Sequence, residues 1–524
     1  MRTETAENAD SEARFERIAR RLALAGFVLY AVAAPHSIAG SWMGLSAAVL
    51  AWLLRFAATR RAGVRRTPQD LPLWLFAGWT ALSCFLSAEP RVSVPKLVNV
   101  ATFLMFYLAQ SVLTRRADVL VASVLIVSGA AGALWGAGEL VLGRGVVVAS
   151  LAGDSPLRAE TPLREGDAIW RVNGRRVSTV EEIDEAMRRT PAGERVSLSV
   201  ISHGEHVEAQ GEAGEWRGVA VTEELRRAAS PSGIEGGGRT HSFRASGWTR
   251  HYETFAEVLQ IIAQLALGFA LAGWRRRSGA ETLDAGGVGP LGLKGLRGRG
   301  MRAALPAIAF VLLAAGIALT AMRTTLVAFA FGACVLAWRA SARGRQRALV
   351  LAAVAVVLCL GAFAVWRTRA AGALRLDDAS ANTRVEVARI ALSRVALHPI
   401  FGHGMDAVHA HWNEWGFPGA DMLHAHSTPI QLAFDRGLPA LLFWLWLMYV
   451  FWKTAARAEA LWRDAPDASA HGLALGICGA LAGFLASALV NYNFGDAEVA
   501  LLVWLLMGAA VTLKYEQAPA TRRV

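Results

Sequence analysis

The sequence His424-Ala-His426-Ser427-Thr-Pro-Ile-Gln-Leu-Ala-Phe-Asp-Arg436-Gly437-Leu-Pro-Ala-Leu-Leu-Phe-Trp-Leu-Trp-Leu-Met-Tyr-Val-Phe-Trp452 sets polar chemistry directly against a long apolar run. The apolar half is long enough to approach the roughly 20 residues that cross hydrocarbon as a helix. The polar half continues upstream through Arg384-Val-Glu-Val and His398-Pro-Ile-Phe-Gly-His403-Gly404. Of the chain's 12 histidines, His398, His403, His409, His411, His424 and His426 fall in this one segment. Histidine titrates nearest neutrality, so a cluster at the mouth of a membrane helix points to proton transfer or metal binding near a lipid-borne substrate.

The same alternation of apolar block and polar connection runs through all 524 residues, 54% of them hydrophobic. Candidate spans lie near 21–36, 40–58, 71–88, 96–113, 119–141, 253–273, 303–321, 323–339, 347–366, 428–452, 470–490 and 495–513, about twelve in all by the length criterion. The first has no small-residue cleavage site and reads as an anchor. Alternate connections are basic: Arg60, Arg61, Arg65 and Arg66, then Arg115 and Arg116, then Arg275 to Arg302, then Arg339 to Arg347. Positive loops stay in the cytoplasm, which puts both termini inside and the connections 142–252 and 367–427 outside. The net charge of +12 is thereby a topology signal and not a nucleic-acid footprint. Cys84, Cys334, Cys359 and Cys478 all fall inside spans without metal-ligand spacing, as small core residues do.

Residues 143–213 break the membrane pattern. A strand is expected at Gly145–Ser150, a hairpin at Asn173-Gly174, a helix capped at Ser178 or Thr179 with Ile183 and Met187 on one face, and a strand alternating through Val196, Leu198 and Val200. This order, and the stretch Gly145-Val-Val-Val-Ala-Ser-Leu-Ala-Gly-Asp-Ser-Pro-Leu157 with Leu163-Arg-Glu-Gly-Asp-Ala-Ile-Trp-Arg-Val-Asn-Gly174, resembles a bacterial-type PDZ domain. PDZ domains add an extended peptide to a sheet edge and catch its terminal carboxylate on backbone amides. Only Leu142-Gly-Arg-Gly145 stands where the carboxylate loop is expected, so a peptide or protein partner and a plain spacer both remain open. The Gly- and Ser-rich stretch 214–252 reads as a mobile linker back to the membrane.

Four polar groups flank the remaining spans. Arg244-Ala-Ser-Gly-Trp-Thr-Arg250-His251-Tyr-Glu253 precedes the sixth; Trp248 and Tyr252 suit an interfacial belt, whereas the charged residues ask for another explanation. Arg323 stands where two spans nearly touch, and a cation at such depth faces a polar cavity or snorkels. On an amphipathic helix over 382–396, Arg384 shares the apolar face with Ala388, Ala391 and Val395, while Glu386, Arg389 and Ser393 take another. His424 and His426, with His409 and His411, could form a zinc site in principle. No carboxylate or cysteine stands in zinc-ligand spacing, however, and no HExxH occurs, so no metal is expected.

At these residues the chain resembles the superfamily of O-antigen ligases and O-antigen polymerases, polytopic glycosyltransferases. The resemblance rests on the Arg244–Glu253 block, Arg323 in a T-x-x-R context, Arg384 followed by His398-Pro-Ile-Phe-Gly-His403-Gly404, and His426-Ser427 followed by nine residues and then Gly437. Ala440 replaces the commoner Gly, Thr or Val, and the insert is not part of the common pattern. The resemblance implies an all-α, GT-C-like polytopic membrane fold divided as helices at 1–142, the PDZ-like domain at 143–213, linker 214–252 and helices at 253–524 with a catalytic outer loop at 367–427. It implies metal-independent, cofactor-free transfer of a glycan from a polyprenyl-diphosphate carrier to a lipid or glycan acceptor, at the outer face of a bacterial inner membrane. His426 is the expected base, with Arg323 and Arg384 on the diphosphate; Arg244, Arg250, His251, His398, His403, His424 and Ser427 are the expected binding residues. A polymerase of the same superfamily and a non-enzymatic transporter or envelope sensor are the alternative readings.

Overall fold

The computed structural model describes residues 2–161, 163–202, 205–208, 219–249, 251–284, 292–341, 379–418 and 424–516, with single positions between 342 and 378. The span expected near 347–366, the first part of the loop 367–427, and Arg250 lie outside the described residues.

Among the described residues, seven helical segments are long and apolar enough to cross a membrane: α2 (Ile38–Thr59), Pro90–Val112, α6 (Arg115–Leu142), α10 (Tyr252–Asp284, apolar to Arg275), α15 (Thr428–Trp462), α16 (Ala468–Ala488) and α17 (Ala497–Tyr515). Two shorter apolar helices join them, α3 (Asp70–Leu86) and the membrane part of α11 (Gly292–Leu319). The long α1 (Arg2–Ala33) and α12 (Arg323–Ala340) complete the bundle. Large side chains stay exposed along it, among them Val127 at 70%, Leu442 at 62% and Phe331 at 54%. A water-soluble protein does not carry so much bare apolar surface; this one is a multi-pass membrane protein.

The core forms where α10, α16 and α17 are almost wholly covered by protein. Small residues permit it. A Cβ on Gly268 of α10 would stand 2.4 Å from the Gly472 carbonyl of α16 and 2.5 Å from the Gly476 nitrogen, so the two backbones touch where larger residues would hold them apart. Pro90–Val112 is not one regular helix. After α4 (Pro90–Ser93), residues Val94–Phe103 wind as a 3₁₀ helix before α5 (Leu104–Val112).

The insert is the small mainly-β module that its sequence predicts. Strands β1 (Val146–Val147), β3 (Ala168–Val172), β6 (Leu198–Ser202) and β7 (Glu205–Glu208) pair antiparallel in that order, and β4 (Arg175–Arg176) folds back on β3. The turn Asn173-Gly174 has positive φ at both residues (48° and 75°), the backbone for which Asn-Gly is selected. Thr179 caps α8 (Val180–Arg189) through the Glu182 amide at 3.3 Å, and Ile183 and Met187 are buried as the spacing requires.

One expectation fails here. Residues 219–249 are not a mobile linker but part of the insert: β8 (Val219–Ala220) pairs β5 (Arg195–Val196), α9 (Glu223–Arg227) follows, and β9 (Ile234–Glu235) pairs β2 (Ser150–Leu151). Val219, Val221 and Ile234 enter the same apolar cluster as Val148, Ile169 and Val200. The physical reason is that β1 and β2 leave an edge that only this returning segment covers, while its glycines hide three core side chains from a compositional reading. Accordingly, Ile234→Ala should destabilise the insert by about 2–5 kcal/mol, as a buried aliphatic truncation does. Urea unfolding of a 143–245 fragment checks this, and an unchanged midpoint would return the segment to the status of a linker.

Candidate functional site

Several connections meet at the end of the bundle that carries the insert, and a buried carboxylate joins them. Glu257 lies one turn into α10 and is 2% exposed. It accepts from Thr325 Oγ1 at 2.9 Å, from the Ser487 hydroxyl, from Asn491 Nδ2 at 3.0 Å and from Asn493 Nδ2 at 3.4 Å. Asn491 also donates to Thr324 Oγ1 at 3.2 Å, and its carbonyl accepts from Thr428 N and Oγ1, both at 3.1 Å. A carboxylate in apolar surroundings persists only with such donors. The result ties the turn that carries Arg323 and the start of α15 behind His426 to a single point on α10.

Arg323 is the first residue of α12 and is exposed. Its turn closes through Ala321 at φ 56°, and the Leu319 carbonyl accepts the Ala245 amide at 3.0 Å, which brings the Arg244 segment alongside. Arg244 is half-buried, its guanidinium 4.3 Å from the centre of the Tyr252 ring. His251 is exposed at the start of α10, where its carbonyl receives the Phe255 amide.

Arg384 belongs to α13 (Ala379–Val395), where Ala391 and Val395 are buried as expected but Ala388 is only half-buried and Val387 takes its place in the core, while Glu386, Arg389 and Ser393 are exposed. Its guanidinium reaches Glu253 Oε1 at 3.8 Å, one turn before Glu257 on α10, and its Nε is buried without a hydrogen bond. His424 and His426 stand edge to face with ring centres 4.5 Å apart, and Tyr492 lies 5.5 Å from His424. Burial, then the Arg384 charge, lowers the His424 pKa to about 4. Burial, then His424, then Arg384, lowers His426 to about 3. Both imidazoles are therefore neutral at neutral pH, and His426 Nε2 is buried without a hydrogen-bond partner among the described residues. His426 holds a left-handed φ of 49°, a conformation costing a non-glycine residue about 1–3 kcal/mol. The Ala425 amide bonded to Gln431 Oε1 at 2.7 Å and buried Ser427 at the N-cap of α15 hold it there.

The other histidines are elsewhere. His403 is 3% exposed, stacked on Phe434 at 4.5 Å with Nε2 on the Arg394 carbonyl at 2.9 Å, and burial lowers its pKa. His398 is exposed against its edge at 4.7 Å. The backbone of the loop that carries this pair braces a break in α15: Gly437 has φ 80°, a Cβ there would fall 1.9 Å from the Ile400 carbonyl, and the Leu438 amide donates to Pro399 O at 2.8 Å. His411 is engaged by Glu414 at 2.6 Å and Glu89 at 3.4 Å. Among the described residues no His, Cys, Asp or Glu side chains gather in threes as metal ligands would.

The gathering of Arg384 with His424 and His426 follows motifs visible in the sequence. Glu257, Asn491, Tyr492, Asn493 and Asp496 were missed. Asp496 accepts from Thr254 Oγ1 at 3.0 Å, and burial pushes its carboxyl up to about 7. The signal for Glu257 was present, since an ionisable residue inside a span is a site candidate by itself.

Residues 308–445, which hold Arg323, Arg384, His424, His426 and Gly437, match the family model described as O-antigen ligase. Residues 119–210 match that of the PDZ domain. No curated protein matches the chain. The fold is that of a multi-pass membrane protein in which one stretch is similar to the O-antigen ligase model and another to the PDZ domain model.

Proposed function

We propose that the protein transfers a glycan from a polyprenyl-diphosphate carrier to an acceptor hydroxyl at the outer face of the inner membrane, with both termini and the basic connections cytoplasmic. What carries the reading is a neutral imidazole nitrogen on His426, without a hydrogen-bond partner among the described residues and within the electrostatic reach of Arg384. His426 Nε2 takes the proton of the acceptor hydroxyl as its oxygen bonds to the anomeric carbon. The bond from that carbon to the diphosphate oxygen breaks, and the electron pair leaves with the diphosphate. Arg384 and Arg323, with Arg244 and Arg250 from the segment before α10, supply guanidiniums that bind such an oxyanion bidentately. Desolvation keeps the base unprotonated and strengthens the hold of half-buried Arg384 on the leaving group. His424 flanks the base and helps keep it neutral, and Ser427 starts the helix behind it.

A gel of carrier-linked and surface glycans tests the reading. His426→Ala should cut transfer about 10²–10⁴-fold and accumulate carrier-linked glycan, full-length chains marking a ligase and single repeats a polymerase. Intact surface glycan from an inserted His426→Ala protein would remove the base from the proposal.

The pH profile is a second test. A base whose folded pKa is lowered to about 3–4 keeps its neutral form above that range and loses it only as pH falls through it. For purified protein kcat/KM should therefore stay flat from pH 8 to about 5, whereas an ordinary imidazole would halve it near 6.5. Glu257 offers a third. Glu257→Leu leaves four donors unmatched and frees the turns they hold, so transfer should fall about 10²-fold with the helices still inserted, and Glu257→Gln should fall less.

A further inference from the structure

Arg436 belongs to the motif that ends at Gly437, and the transfer chemistry leaves it without a role. It is half-buried at the break in α15, and its backbone carbonyl accepts Trp79 Nε1 of α3 at 3.0 Å. Its guanidinium lies 5.7 Å from the centre of the Phe76 ring, one turn earlier on α3. An aromatic ring satisfies none of the five N–H donors of a guanidinium, and Arg436 Nε is buried without a hydrogen bond among the described residues. The carboxylates of this region are engaged by other groups. Asp435 accepts from Gln431 Nε2 at 2.8 Å, Asp406 pairs with Lys96 at 2.8 Å, and Asp496 accepts from Thr254 Oγ1 at 3.0 Å. A partly desolvated cation with donors to spare is costly until an anion meets it.

Two more polar groups stand with it. Thr80 lies midway between Phe76 and Cys84 on the buried stripe of α3. Phe76 is under the guanidinium and the Cys84 thiol is within reach of its charge, so Thr80 lies on the same approach. Thr80 is 0% exposed, and its Oγ1 has no hydrogen-bond partner among the described residues, a cost that a bound acceptor atom removes. Tyr492 closes the side toward the imidazoles, its ring 5.5 Å from that of His424. Burial raises the phenol above its ordinary pKa and Arg436 is the charge that opposes the rise, so the hydroxyl stays protonated and can donate. Arg384 and Arg436 therefore approach the imidazole pair from different sides, the first from Glu253 of α10 and the second from α3 across Tyr492. In a displacement the incoming and leaving oxygens also lie on opposite sides of the anomeric carbon. With the leaving diphosphate on Arg384, an anion at Arg436 belongs to the incoming partner.

We propose that Arg436, with the hydroxyls of Thr80 and Tyr492, forms a second anion site that holds a phosphate or carboxylate of the acceptor on the α3 side of His424 and His426. The acceptor is thereby a negatively charged saccharide or glycolipid, gripped by a guanidinium fork suited to planar or tetrahedral oxyanions. The assignment to the acceptor rests on the transferase reading above, whereas the anion site itself does not.

The probes are methyl glucoside 6-phosphate and methyl glucuronide, with uncharged methyl glucoside as the reference, titrated by ligand-observed NMR against the full chain in nanodiscs. At least one charged probe should bind wild type and the control Arg389→Gln, which removes an exposed arginine of α13. Which of the two binds tells phosphate from carboxylate. Affinity should fall about tenfold or more in Arg436→Gln, less in Arg436→Lys, and less than about threefold in Arg384→Gln. Thr80→Val keeps the shape of α3 and every charge, so its loss of about threefold decides the matter even where Arg436→Gln fails to insert. With a total-lipid extract supplying the acceptor, the bound probe should inhibit transfer competitively with the extract and not with the carrier-linked donor. Binding no tighter than that of methyl glucoside, equal binding to all variants, or a loss in Arg384→Gln as large as in Arg436→Gln each overturns the site. Inhibition competitive with the donor overturns the assignment to the acceptor. Wild-type protein that transfers no glycan counts instead against the transferase reading, and the titrations still decide the anion site.

Discussion

A buried acid that must be fully hydrogen-bonded sets the architecture at the functional end of this protein. Glu257 cannot lie in apolar surroundings alone, and the groups that satisfy it come from three other places in the chain: Thr325 beside Arg323, Ser487 at the end of α16, and Asn491 and Asn493 in the turn before α17. Because Asn491 also holds Thr428, the loop with His424 and His426 is anchored through the same carboxylate. Glu253, four residues earlier on the same helix, then receives Arg384. The catalytic candidates are thus spread over separate connections, yet each is referred to one face of one helix. Precision of that kind is what an oxyanion-stabilising site needs, because its cations act only if they wait where charge will develop.

The polar end and the opposite end use charge differently. Away from the insert, Arg115 pairs with Asp467 at 2.8 Å, Arg339 with buried Glu459 at 2.7 Å, and Arg275 with Asp464 at 3.1 Å. Each of these three cations has its carboxylate, and the pairs fasten helix ends to one another. At the insert's end Arg384 pairs with Glu253 at 3.8 Å, and the neighbouring imidazoles are uncharged.

How much of this was legible depends on the range of the interaction. Local rules sufficed for the Asn173-Gly174 hairpin, the Thr179 cap, the buried stripe of α13 and the apolar helices, since each is decided within a few residues. Motif spacing also brought Arg384 and His426 to notice. The returning strand Ile234–Glu235 was not legible, because it pairs with the distant Ser150–Leu151 and its own composition is that of a turn. Asn491 and Asn493 were equally hidden, for their importance lies in what they hold and not in what they are. His398 and His403 carry the opposite lesson: residues in the same motif as the site brace the α15 break at Gly437, and the imidazole that looked chemical is packed on Phe434.

The ten residues Val94–Phe103 have a geometric consequence of their own. A 3₁₀ helix advances about 2.0 Å per residue against 1.5 Å in an α-helix and returns a side chain to the same line every third position. Val94, Leu97, Val100 and Phe103 accordingly form a straight ridge, each at least half-buried, while Pro95, Val98 and Ala101 stand exposed along a second line. Such a rod is slimmer than its neighbours and covers about 20 Å with a stretch that would otherwise cover about 15 Å. The chain thereby crosses the same thickness with fewer residues, and its contact with α3 and α17 runs along a seam parallel to its axis instead of wrapping around it.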